Sequence, residues 1–82
     1  MPIFVTKYVG ETVNQFKDVS YPTGYTASNS VIIGYTVQSS YGDWYSNTNA
    51  IYVIGAGNYM KIKNTDADFS GQEIKIGIQK II

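Results

Sequence analysis

Isoleucine recurs at positions 74, 76 and 78, and Glu73, Lys75, Gly77 and Gln79 fill the gaps between and around them. Side chains on a strand alternate between faces, so this segment carries one apolar face and one wet face. A helix would scatter the same isoleucines around its circumference. The segment therefore reads as a strand that covers a core from one side. Similar alternation at 30–38, with Val31, Ile33, Tyr35 and Val37 on one face, extends the pattern into an all-β domain.

The remaining strands follow from composition and punctuation. Residues 2–9 are β-branched and aromatic, with Ile3, Val5 and Val9 on one face. Gly10-Glu11 reads as a turn, with 1–14 either an N-terminal arm or a strand. Residues 12–21 read as a second strand anchored by Phe16 and Val19. These anchors lie three apart, so a bulge or a break near Lys17-Asp18 is expected. Pro22-Thr23-Gly24 ends that strand, and Thr26 to Asn29 forms one short helical turn. Trp44-Tyr45 opens a short strand after the turn cluster 39–43, and 46–49 is a loop. Residues 50–54 and 59–63 make a hairpin joined by Gly55-Ala56-Gly57-Asn58, with glycine at the positive-φ sites. Asn64 to Gly71 is a polar loop. Six to seven short strands joined by tight turns predict a single domain over 1–82, a small antiparallel β-sandwich or barrel. The expected core is Val31, Ile33, Val37, Ile51, Val53, Met60, Ile62, Ile74, Ile76 and Ile78.

Composition bounds the chemistry. The chain has 82 residues, no cysteine and no histidine. Disulfides, zinc-thiolate sites and imidazole acid–base work are excluded. A chain this short buries only about 60% of its unfolded surface, so its stability margin is thin. Self-association as a dimer or trimer is the expected reinforcement. Tyr8, Tyr35, Tyr52 and Tyr59 cannot all fit one small core, and aromatics are enriched at interfaces. Six lysines balance six carboxylates, and arginine is absent. Such a chain has little with which to displace counterions from phosphates, so nucleic acid is not an expected partner. Neither a membrane-spanning apolar stretch nor a signal peptide is visible, so synthesis in a cytoplasm is expected.

Three clusters invite a chemical reading. Tyr41, Asp43, Trp44, Tyr45, Asn47 and Asn49 combine rings that stack on sugar C–H faces with groups that match hydroxyls. They form a candidate saccharide patch, unless Trp44 packs in the core, as tryptophan commonly does. Asn64, Asp66 and Asp68 alternate oxygen ligands as a calcium loop begins, but the glycine and closing glutamate of such a loop are missing. An Asx-rich turn is the plainer account. Gly55-Ala56-Gly57 lies between strands, with no helix N-terminus to meet a phosphate, and reads as a turn. No catalytic constellation emerges: Asp43 and Asp66 are the carboxylates a glycosidase would need across a cleft, which 82 residues rarely build. The expectation is a non-enzymatic protein without a cofactor.

Several of these segments together resemble the small C-terminal-type β domain of tail and baseplate proteins from phages of Gram-positive bacteria. They run from Lys17-Asp18-Val19-Ser20-Tyr21-Pro22-Thr23-Gly24-Tyr25 through Thr26-Ala27-Ser28-Asn29-Ser30-Val31-Ile32-Ile33. Trp44-Tyr45, Tyr59-Met60-Lys61-Ile62-Lys63 and the closing strand Ile74 to Ile81 follow. The resemblance covers 15–82 and rests on turn and strand grammar. Such modules usually sit behind longer fibre or attachment segments, whereas only residues 1–14 precede this one, as in an excised domain or a short stand-alone protein. The resemblance implies a virion-surface component that oligomerises and contacts host cell-wall sugars. Two other readings fit the residues: a carbohydrate-binding module without a phage link, and a small mobile-element inhibitor acting by protein–protein contact.

Overall fold

The computed structural model describes residues 2–9 and 13–82. Seven strands form two antiparallel sheets: β1 (Pro2–Tyr8), β2 (Phe16–Ser20), β3 (Ser30–Gln38), β4 (Trp44–Tyr45), β5 (Ile51–Ala56), β6 (Tyr59–Asn64) and β7 (Glu73–Lys80). The first sheet has the order β1-β7-β3-β4, and the second has β2-β6-β5. In chain order β1 is followed by β2, β6 by β7 across a short 3-10 helix, Ala67–Phe69, and β3 by β4 and then β5. The connected strands therefore occupy matching places in the two sheets. The expected Gly10-Glu11 turn lies outside the described residues.

The core forms between the sheets. Val37, Ile74, Ile76 and Ile78 come from the first, and Val19, Ile51, Met60 and Ile62 from the second. Val9, Tyr21, Ala50 and Phe69, from the connecting segments, complete it. Alternation holds without interruption in β7 and β6, where Ile74, Ile76, Ile78, Met60 and Ile62 all point inward and are buried. Val53 is half-buried against the same core.

Two expectations fail in β3. Its ladder with β7 shifts between Ile32, which pairs with Ile78, and Gly34, which pairs with Gly77. Ile33 is the extra residue of a β-bulge, and an extra residue reverses the side on which every earlier side chain emerges. Ile32 therefore packs on the core, while Val31 and Ile33 are exposed, Ile33 by 50%. Neither the bulge nor the break expected near Lys17-Asp18 occurs. The β2–β6 ladder runs unbroken from Phe16↔Lys63 to Ser20↔Tyr59. Val19 and then Tyr21 turn inward, and Phe16 lies exposed on the outer face.

Turns are built as their residues require. Gly57-Asn58 is a two-residue connection between Ala56 and Tyr59. Gly57 has φ of 67°, as the first position of a II′ turn demands. Gly55 belongs to β5 instead, and its role is close packing. A Cβ there would lie 2.5 Å from the Tyr21 hydroxyl and 3.2 Å from the Ala27 Cβ. The 26–29 turn is held by the Asn29 carboxamide, which accepts from the Thr26 amide at 2.7 Å and donates to the Gly24 carbonyl at 3.0 Å.

Candidate functional site

The six residues of the expected saccharide patch are all exposed, but their rings do not make one platform. β4 pairs with the end of β3 through Val37↔Tyr45 and Gln38↔Trp44. Neighbouring residues of a strand face opposite sides. Tyr45, beside buried Val37, turns toward the inner edge and meets Phe69 edge-on, with ring centroids 5.6 Å apart. Trp44 turns to the outer face of the first sheet and is 39% exposed, which removes it from the core. Tyr41 stands at the hairpin tip, 87% exposed. Asp43 is exposed, and its carbonyl accepts from the Ser39 amide at 2.8 Å. Asn47 and Asn49 flank Thr48, whose carbonyl accepts a hydrogen bond from the Tyr35 hydroxyl. Burial raises the Tyr35 pKa above its ordinary 10.0, partly offset by a hydrogen bond with the Ile51 backbone.

The oxygen-rich 64–68 segment is a capped turn. Asn64 is fully buried; its Oδ1 accepts from the Asp66 amide at 3.0 Å, and its Nδ2 donates to Ser70 Oγ at 3.0 Å. Asp66 Oδ1 accepts from the Asp68 amide at 2.9 Å and starts a short 3-10 helix, Ala67–Phe69. Asp68 Oδ1 accepts from the Ser40 hydroxyl, and the Asp68 carbonyl accepts from the Ser40 amide. One oxygen of each of the three side chains is thus engaged in holding the loop. Two clusters that lie far apart in sequence meet here, because Ser40 and Tyr45 of the β3–β4 hairpin are both tied to the 67–69 turn.

A different feature dominates the outer face of the first sheet. Gly34 and Gly77 pair directly and leave the sheet bare between taller neighbours. The resulting open trough has a volume of about 270 Å³ and is lined by Ile33, Tyr35, Thr36 and Lys75 with the two glycines. The Lys75 ammonium lies 3.9 Å from the Trp44 ring centroid, within cation–π range. Trp44 therefore presents a ring that already carries a cation. The sequence signal for the trough was two glycines inside strands, where glycine marks a bulge or an open approach to backbone. Their juxtaposition depends on the register of β3 against β7.

The outer face of the second sheet carries a second exposed row. Phe16, Lys63 and Tyr52 are cross-strand neighbours. The Lys63 ammonium sits 5.0 Å from the centroids of both rings. Ile54, Lys61 and Asp18 form the adjoining row. Among the described residues, no helix is long and apolar enough to cross a membrane. No protein-family model, curated protein or solved structure matches the chain.

Proposed function

We propose that this domain is a non-enzymatic contact module that acts by self-association and surface recognition, as a tail, baseplate or fibre component of a virion does. The observation that carries this reading is the exposure of large apolar side chains on both outer faces. Val31, Ile33 and Trp44 lie on the outer face of one sheet, while Phe16, Tyr52 and Ile54 lie on that of the other. Contiguous exposed apolar surface marks interaction sites more often than it decorates a monomer. Tyrosine, tryptophan and weak charge are the makings of such a surface. Light scattering at micromolar concentration tests the proposal: a dimer or trimer is expected, and a 9.1 kDa monomer at every concentration would overturn it.

A saccharide is the ligand that suits the exposed Trp44. The ring stands beside the glycine-floored trough, with the Thr36 hydroxyl and the Lys75 ammonium at hand. A sugar face against backbone and indole needs no deep pocket. Weak single-site affinity would be raised by multivalency on an assembled particle. A glycan titration of wild type and Trp44→Ala, each paired with a melt, tests this. A folded Trp44→Ala variant that binds as well as wild type removes the site.

A further inference from the structure

Four strands form the edges of the two sheets, and three of them carry some defence against pairing. β4 is only two residues long. β1 contains Pro2 and Lys7, and β2 is a five-residue strand with Lys17 and Asp18. Short length, proline and charge are the usual means of blunting an edge. β5 has none of them. Ile51-Tyr52-Val53-Ile54-Gly55-Ala56 runs six residues without charge or proline, and its ladder with β6 shows no register shift.

The backbone of this edge is also unsatisfied on one side. Ala56 and Tyr59 flank a two-residue turn, so they, Ile54 with Lys61, and Tyr52 with Lys63 are the hydrogen-bonded pairs of the hairpin. The amides and carbonyls of Val53 and Gly55 then point away from β6. Among the described residues, no other backbone partner meets them.

We infer that the β5 edge is a dimerisation surface, and that its occupant is β5 of a second copy, running antiparallel across a two-fold axis. This inference rests on the self-association proposed above and names its interface. A symmetric pairing sets a strand against its own residues, so a charged edge brings like charges together. β5 is neutral and meets itself without that cost. The nearest lysine rows, on β6, end up three strand spacings apart, roughly 14 Å. That exceeds the screening length of about 8 Å at physiological salt. Pairing about Val53 or Ile54 sets Ile54 against Tyr52 or Ile54 of the second copy. Such aromatic and β-branched pairs are the favourable cross-strand combinations. The product is a continuous six-stranded sheet, with the Phe16–Lys63–Tyr52 row repeated on both halves.

The test is sedimentation of wild type, Ile54→Lys, Ile54→Glu and an equimolar mixture of the two variants, each with a thermal melt. Ile54 is 47% exposed, so either variant should fold. Wild type should show twice the 9.1 kDa chain mass, each variant alone the single mass, and the mixture the doubled mass again. Regained association in the mixture cannot come from unfolding. Variants that keep the wild-type mass overturn the β5 interface and leave self-association standing, whereas a monomeric wild type overturns both. If a variant unfolds, amide exchange of wild type decides. Val53 and Gly55 should exchange on the order of tenfold more slowly in concentrated than in dilute protein. Equal rates would overturn the inference, and protection that appears only with another protein added would assign the edge to a foreign strand.

Discussion

β3 and β7 lie side by side at the centre of the first sheet, and both are rich in branched apolar residues, yet only one obeys its own pattern. In β7 the side chains from Ile74 to Gln79 follow the alternation: Ile74, Ile76 and Ile78 are inside, Lys75 and Gln79 are outside, and only Gly77, which has no side chain, is buried against the pattern. In β3 one extra residue divides the strand, so Val31 and Val37 share an apparent face in sequence and lie on opposite faces of the sheet. The comparison teaches that a period of two is decisive only along an uninterrupted ladder. Where a strand carries three apolar residues in a row, as Val31-Ile32-Ile33 does, its neighbour chooses which of them goes in.

The sharpest way to break the comparison is to delete one residue from each strand. Removing Gly77 from β7 slips Ile78 and all that follows to the opposite face, and wet residues would face the core. The variant should not fold, as judged by loss of a cooperative thermal transition. Removing Ile33 from β3 should be tolerated, at about 1 kcal/mol or less. Ile32 and Gly34 already pair with the adjacent residues Ile78 and Gly77, so the deletion leaves a regular ladder with the same inner set. If the two deletions are equally harmful, the bulge does more than accommodate a residue, and its extra twist is needed to close the sandwich.

Single substitutions sharpen the same contrast. Ile76 is fully buried, and Ile76→Ala should cost about 2–5 kcal/mol. A domain of this size has little more to lose, so the variant should be largely unfolded at room temperature. Ile33→Ala should stay within about 0.5 kcal/mol, as exposed substitutions do. Urea midpoints measure both. A large loss at Ile33 would mean that the outer face is covered, as in an assembled state.

The second sheet offers a test of how tightly the ends are closed. Gly55→Ala pushes a methyl toward the buried Tyr21 ring and Ala27, and should cost about 1–3 kcal/mol. Tyr21→Phe removes the atom 2.5 Å from that methyl. In a double-mutant cycle the pair should therefore be less damaging than the sum of the two singles. Strict additivity would place the strain at Ala27.

Much of this architecture was legible because it is local. All seven strands, the short β4 among them, and the inward set of β6 and β7 follow from alternation and turn residues. What escaped is nonlocal. Neither the bulge at Ile33 nor the outward turn of Phe16 can be read from its own strand, since each is set by register against β7 or β6. Tyr21 and Phe69 join the core from connecting segments, where no periodicity marks them. The 3-10 turn hides in a polar stretch whose Asn64 and Asp66 oxygens bond to nearby amides. At the site, the divergence of Trp44 and Tyr45 was implicit in the strand assignment, because adjacent strand residues cannot share a face. The Gly34–Gly77 trough was not, because it exists only once two distant glycines are paired.

The smallest effect expected falls on the outer face of β7, where Lys75 lies over Trp44. Trp44→Ala should leave the domain folded and cost about 1 kcal/mol, because the ring is partly exposed and its main contact is a cation at an open site. Lys75→Ala should cost less than about 1 kcal/mol, since losing an exposed charge also releases a long side chain. The coupling between them, from a cycle with the double variant, should be about 0.5–1 kcal/mol. Trp44 is the only tryptophan, so its fluorescence reports directly on that contact. Lys75→Ala should change the emission of a protein whose melting temperature barely moves. An unchanged emission would mean that the ammonium does not hold its place over the ring, and the face of Trp44 beside the trough would then be free on both sides. A large loss of stability in Trp44→Ala would instead return the tryptophan to a packing role, and with it the outer face of β3 and β7 to the interior of some larger assembly.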